Sequence, residues 1–151
     1  MAMDAVKDVY DLQRFLEAQA GVYVHACAEL RAGRKKSHWM WFVFPQIRGL
    51  GSSPMAVRYA ISGMEEARAY LGHVVLGPRL RECAGIVVGV QGRTVGEIFG
   101  YPDDLKFHSC MTLFARAEEG GGVFREAIER YFGGEMDRGT VGILGGSLKE
   151  R

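Results

Sequence analysis

The stretch Leu80-Arg81-Glu82-Cys83-Ala84-Gly85-Ile86-Val87-Val88-Gly89-Val90 can be read in two ways. Leu80, Cys83, Ala84, Val87 and Val88 recur at i, i+3, i+4, i+7 and i+8, which is the period of one helix face. Its second half, Ile86–Val90, is also a β-branched run, and such runs favour strands. The aromatic run Trp41–Phe44 is the other strand-like segment. If both were strands, the protein would hold one short strand pair. If both are helical, the protein is all-α.

Moving outward, helical periodicity dominates. Leu12, Phe15, Leu16 and Gln19 form a short amphipathic set behind Asp11 as cap. Tyr23, Ala26, Cys27 and Leu30 form another, ended by Gly33. Ser37 is placed to cap a short helix over His38–Val43, which Pro45 stops. Ser53-Pro54 is a start signal, a cap residue followed by proline at the first helical position. Ser62 with Glu65, and Thr94 with Glu97, have capping-box spacing. Met64, Ala67 and Leu71 follow the first box; Val95, Ile98 and Phe99 follow the second. Asp103 is placed to cap a helix carrying Phe107, Cys110, Met111 and Phe114. A last helix carries Phe124, Ala127, Ile128, Tyr131 and Phe132 between Gly120–Gly122 and Gly133–Gly134. The expectation is an all-α domain of about seven to eight short helices.

The chain has 151 residues, which the length prior assigns to a single domain over 1–151, with frayed ends expected. Apolar residues make up 48% and charged residues 25%, so the chain is globular and not disordered. The net charge of +1 argues against a nucleic-acid binder working by bulk charge. Glycine, 21 residues, is well above its usual share of about 7%, which fits many short elements ended by glycine. Cys27, Cys83 and Cys110 are far apart and form no CxxC pair, which fits reduced core thiols in a cytoplasmic protein. No stretch approaches the roughly 18 apolar residues of a membrane span, and the start has no apolar leader run.

Several chemistries have no motif here. GxxxxGK[ST], HExxH, GxSxG and the zinc deaminase pattern are all missing. His25, His38, His73 and His108 lack metal-ligand spacing, so no metal and no cofactor is expected. His25 reads as a surface residue, and His73 as a partner for the last carbonyls of a helix.

Two constellations remain. The first runs from Arg31 to Arg58. Arg31, Arg34, Lys35 and Lys36 precede His38, Trp39, Trp41 and Phe42, and then Pro45-Gln46-Ile47-Arg48-Gly49-Leu50-Gly51-Ser52-Ser53-Pro54. Arg48, Gly49, Gly51, Ser52 and Ser53 lead into a helix start, where free N–H groups and the dipole suit an anion. Glycines let a backbone approach a ligand closely, and Arg48 and Arg58 can add guanidinium contacts to phosphate. Trp39 or Trp41 can stack a base or a sugar face. The plainer alternative makes Ser53 a cap, the glycines a turn and the tryptophans core. The basic run likewise reads either as a single-stranded nucleic-acid contact or as a cationic helix C-terminus.

The second constellation is Gly100–Cys110. Asp104, Lys106 and His108 fall near one helix start, and a carboxylate and a histidine within reach of each other make an acid–base pair. Alternatively, Asp103 caps, Asp104 sits on the dipole and Lys106 is solvated.

These residues carry a resemblance. His38-Trp39-Met40-Trp41-Phe42 with Phe44-Pro45-Gln46, Gly49-Leu50-Gly51 with Ser53, Tyr59-Ala60-Ile61, Leu76-Gly77 with Arg79-Leu80, and Ile98-Phe99-Gly100 with Pro102-Asp103-Asp104 and Lys106 resemble a bacterial and fungal family, domain of unknown function eighteen-ten. The similarity covers about Val9 to Phe132 and departs at Gly72-His73-Val74, where the family usually has a histidine–proline pair. It implies a mainly helical, soluble cytoplasmic domain and no particular activity. A looser resemblance, through Ser37, His38, Trp39 and Gln46, is to the helical NADAR enzymes, which act on ADP-ribose-type N-glycosides. Together these suggest a pocket for a phosphate-bearing, nucleotide-type small molecule, lined by His38, Trp39, Trp41, Gln46 and the Arg48–Arg58 segment. If it is catalytic, an N-glycosidase type of hydrolysis would use Asp104 or His108 as acid–base group and Lys106 against developing charge. The alternatives are an interaction module or homodimer using the tryptophan segment, and single-stranded nucleic-acid binding.

Overall fold

Burial decides between the two readings of Leu80–Val90. In the computed structural model, which describes residues 7–145, Leu76–Gly89 is one continuous helix. Leu76, Leu80, Cys83, Ala84 and Val87 make its buried face, so the 3.6-residue period outweighs the β-branched composition of its end. Trp41–Phe44 is not a strand either. Met40–Val43 forms a single helical turn that buries Met40, Phe42 and Val43, and Pro45 follows directly after Phe44. In place of a strand pair the described residues hold one isolated parallel bridge, Ile47 with Ile61. The protein is all-α.

The helices are α1 (Gln13–Gln19), α2 (Tyr23–Arg31), α3 (Met40–Val43), α4 (Pro54–Arg58), α5 (Met64–Gly72), α6 (Leu76–Gly89), α7 (Val95–Phe99), α8 (Asp103–Ala117), α9 (Gly122–Phe132) and α10 (Arg138–Leu144). The described residues thus form ten helices, against about seven or eight expected from periodicity. Helix α10 lies where the sequence reads as a tail; the Asp137 side chain starts it by accepting from Thr140 N. The chain ends, where fraying is expected, reach outside the described residues.

Some caps form as their sequences suggest. Thr94 and Glu97 make both bonds of the capping box, and Ser53 accepts from Ala56 N at 3.1 Å behind Pro54. Others do not. Gly63, not Ser62, precedes α5, because Ser62 Oγ and N both bond to Glu66 at 2.8 Å. Trp39 precedes α3, because Ser37 turns its hydroxyl to Glu29. Pro102 precedes α8, which leaves the Asp103 carboxylate free for lysines. The His73 backbone N–H donates to Tyr70 O of α5 at 3.1 Å, but its side chain does not turn to the last carbonyls of that helix. Its Nδ1 accepts from Val75 N and Leu76 N at the start of α6, at 3.1 and 3.2 Å.

Helix α8 buries eight of its 15 residues and packs against α5, α7, α9 and α10, while α6 packs against α2, α5 and α9. Aromatic rings fill the centre. Phe107 stacks on Phe99 with centroids 4.7 Å apart and meets Phe44 edge-on at 5.1 Å; Tyr70 meets Phe15 edge-on at 5.1 Å.

Candidate functional site

The bridge between Ile47 and Ile61 pins both ends of the segment that carries Arg48 to Arg58. Arg48 N donates to Ile61 O and Ile61 N to Gln46 O, each at 2.8 Å. Within the loop, Gly49 has φ +106° and Gly51 lies against its own helix: a β-carbon on Gly51 would sit 2.6 Å from Ala56 Cβ. The closeness that requires glycine at 51 is therefore to α4, not to a ligand, and Ser53 acts as a cap.

Arg48 and Arg58 are exposed, and with Ser52 they line a cleft of about 730 Å³. The cleft's floor is a clamp that the sequence does not announce. Arg14 of α1 donates to Arg58 O at 2.9 Å, Ala60 O at 2.8 Å, Tyr10 O at 2.6 Å and Asp11 O at 2.9 Å. It also pairs with the buried Glu66 of α5 at 3.0 Å. This one guanidinium ties α1, the end of α4 and α5 together. The Arg58 guanidinium contacts Tyr59, with Nε donating to the hydroxyl at 3.2 Å. The Arg48 side chain has no partner among the described residues.

The tryptophan block is a different place. Trp39 is fully buried, so it offers no face for stacking a base. Its Nε1 donates to Glu29 Oε1 at 2.9 Å. Glu29 also accepts from Lys36 N at 2.8 Å, Ser37 N at 3.1 Å and the Ser37 hydroxyl. Trp41 is half-buried; its Nε1 is buried without a hydrogen-bond partner, and Lys106 Nζ stands 5.3 Å from its ring centroid. Asp103 joins the two motif blocks: Lys35 Nζ lies 2.8 Å and Lys106 Nζ 3.5 Å from its carboxylate. The two motif blocks thus touch through an ion-pair cluster of Lys35, Asp103 and Lys106 that includes neither Asp104 nor His108.

The remaining predicted residues separate. The Asp104 carboxylate accepts from Leu105 N at 2.9 Å. His108 stacks on Phe132 at 3.8 Å, with Nε2 2.7 Å from Glu135 O. His38 is exposed and Gln46 half-buried. None of Asp104, Lys106 or His108 lines the arginine cleft, nor do His38, Trp39, Trp41, Gln46, Gly49, Gly51 or Ser53. The basic run is also spread out. Arg31 pairs with Glu82 at 3.6 Å, and the Lys35 side chain is only 8% exposed in its pair with Asp103. Among the described residues, no group of three or more histidine, cysteine or acidic side chains could hold a metal, and no helix is long and apolar enough to cross a membrane.

The Glu29 hub has a pH signature. Burial pushes its carboxyl up, but bonds from the Ser37 hydroxyl, Lys36 N, Ser37 N and Trp39 Nε1 outweigh this and hold it down at about 2, against an ordinary 4.5. A folded-state value below the unfolded one contributes stability that is fully present above about 4.5 and is lost as pH falls through about 2. With solvent screening of this half-buried group, the contribution is about 1–2 kcal/mol. Glu29→Gln should lose that amount at pH 7 in urea unfolding, and its curve should approach that of the parent protein near pH 2. Parallel curves over the whole range would contradict this role.

No curated protein matches the chain. Among solved structures it is similar to the conserved hypothetical protein Rv1873 from Mycobacterium tuberculosis, with 61% identity and a TM-score of 0.90 over 93% of this chain and 100% of that one. Residues 9–144 match a family described as Protein of unknown function (DUF1810), a match that runs past the expected end at Phe132 and takes in α10. With its helical fold, its tryptophan block and a match over most of its length, the chain belongs to that family.

Proposed function

We propose that the cleft between α1 and the Arg48–Arg58 segment binds a phosphate-bearing small molecule. The observation that carries this reading is that two exposed guanidiniums, of Arg48 and Arg58, share one cleft of about 730 Å³ with the Ser52 hydroxyl. The size falls within the usual range of small-molecule sites. Glu66 and Asp11 line the same cleft; Arg14 balances Glu66 at 3.0 Å, and Arg48 and Arg58 against Asp11 leave the mouth net positive by one charge. A guanidinium suits phosphate because its planar N–H fork matches two phosphate oxygens. A diphosphate such as that of ADP-ribose offers a group to each arginine. The reading is one of binding, because the residues considered for catalysis, Asp104, Lys106 and His108, are not among those lining the cleft.

Thermal unfolding against inorganic phosphate, AMP, ATP, ADP-ribose, NAD and a short oligonucleotide tests it. A ligand at about 100 times its Kd adds about 2.7 kcal/mol, or roughly 5–10 °C for a domain of this size. The shift should vanish in Arg48→Ala and weaken in Arg58→Ala. Arg125→Ala, which alters an exposed arginine paired within α9, should leave it unchanged. No shift with any phosphate compound, or a shift that survives the double Arg48/Arg58 replacement, would overturn the proposal. A shift with the oligonucleotide alone, steeply reduced by salt, would favour nucleic acid instead.

A further inference from the structure

Cys27 on α2 and Cys83 on α6, far apart in sequence, meet where the two helices pack, with their Sγ atoms 3.9 Å apart. Both are free thiols, and so is Cys110. Their accessibility differs: Cys27 is 4% exposed, whereas Cys83 and Cys110 are at 0%. The pair lies beneath a small polar cluster. The Tyr23 hydroxyl donates to Glu82, Arg31 Nη2 lies 3.6 Å from Glu82, and the Arg79 guanidinium stands 4.6 Å from the Tyr23 ring centroid. A buried thiol among apolar side chains alone is inert, but one beside a second thiol, a hydroxyl and an arginine is not in that setting.

We propose that Cys27 and Cys83 are a redox-active pair that closes into a disulfide between α2 and α6 when hydrogen peroxide reaches Cys27.

The division of labour follows from the surroundings. The hydrogen bond from the Cys83 thiol is the strongest influence on Cys27 and holds it below the ordinary thiol range, against burial; Arg31 acts in the same direction and the Glu82 carboxylate opposes it. The same pairing, with burial, pushes Cys83 up. The thiolate is therefore favoured on the more accessible sulfur, and the proton on its partner. In the first step the Cys27 thiolate attacks one peroxide oxygen. An S–O bond forms, the O–O bond breaks, and the departing hydroxide takes a proton and leaves as water. Cys27 is then a sulfenic acid. In the second step Cys83 Sγ, giving up its proton, attacks Cys27 Sγ. The S–S bond forms, the S–O bond breaks, and the second hydroxide takes that proton and leaves as water. The two thiols are oxidised by two electrons and the peroxide is reduced by two. Closing from 3.9 Å to a bond of about 2.05 Å requires about 2 Å of approach, within reach of side-chain rotation and a small helix shift. Cys110, fully buried with burial alone acting on it, has no such partner and serves as an internal control.

The test treats the folded chain with limiting hydrogen peroxide, removes the excess, denatures it and alkylates the remaining thiols. Two of the three thiols should be lost. Non-reducing peptide mapping should join the Cys27 and Cys83 peptides, and dithiothreitol should reverse the loss. In Cys83→Ala the disulfide should be absent, and Cys27 should react with dimedone as a sulfenic acid. Should that variant fail to fold, the peptide map of the parent protein decides by itself. Three alkylatable thiols after peroxide, a crosslink that includes Cys110, or Cys27 passing to sulfinic acid with Cys83 still free would each overturn the proposal.

Discussion

Trp39→Ala should remove about 3–5 kcal/mol of the stability measured by urea unfolding at neutral pH, the usual cost of deleting a fully buried aromatic. The ring is at 0% exposure, tilted 48° against Phe44 with centroids 6.2 Å apart, and covered by Lys35 Nζ at 5.2 Å from its centroid. Alanine leaves a cavity that backbone held by the Glu29 hydrogen bonds cannot collapse to fill. It also takes one of the four donors away from Glu29. Since domains are stable by about 5–15 kcal/mol, a loss of this size leaves a protein near its threshold at 37 °C. Trp39→Phe narrows the loss. It keeps an aromatic ring but removes the N–H to Glu29 and three ring atoms, so its cost should fall to about 2–3 kcal/mol. A loss below about 1 kcal/mol for Trp39→Ala would mean that this ring is not a core element.

The second large effect is predicted at Gly77, in the first turn of α6. A β-carbon there would lie 2.1 Å from the Leu71 carbonyl oxygen and 2.9 Å from its carbon. The obstacle is backbone, which cannot rotate away as a side chain can. Gly77→Ala should therefore force α5 and α6 apart and cost about 2–3 kcal/mol. Gly85, two turns further along the same helix, has nothing within 4 Å of the corresponding position. Gly85→Ala should stabilise by about 0.5–1 kcal/mol through helix propensity. The opposite signs make a compact test: urea midpoints that move in the same direction for both variants would exclude the close approach of α5 and α6 at Gly77.

Gly77 and Gly85 also show how far a sequence can be read here. Gly85 lies inside the periodic pattern and Gly77 just before it, next to Pro78, but nothing along the chain shows what packs against either. The distinction lies in what the chain brings against each of them. The same holds for caps. The bonds of Thr94 with Glu97 and of Ser53 with Ala56 span three residues, so they were legible. Ser62 and Ser37 have the same local chemistry. Their hydroxyls were taken by Glu66 and Glu29, whose positions are set by Arg14 and Trp39 from other elements.

The candidate site divides in the same way. Arg48, Ser52 and Arg58 were recognisable as an unusual cationic segment, and they do share a cleft. Arg14 and Glu66, which build its floor, were not recognisable, since nothing along the chain shows that α1 and α5 bring them together. Asp103, Lys35 and Lys106 were each in view, but their meeting depends on how the segment after α2 crosses the start of α8. For the thiols, the sequence showed three cysteines without close spacing; only the packing of α2 on α6 makes two of them neighbours.

What the sequence determined by itself is the all-α class, the placement of most helices and the family. These rest on apolar periodicity and on contiguous motifs, which act within a few residues along the chain. The tertiary structure alone decided which polar groups meet: Arg14 with Glu66, Asp103 with two lysines, Glu29 with Trp39, and Cys27 with Cys83. Such pairs join residues from separate elements, and their energies depend on burial and geometry that appear only once the helices have packed.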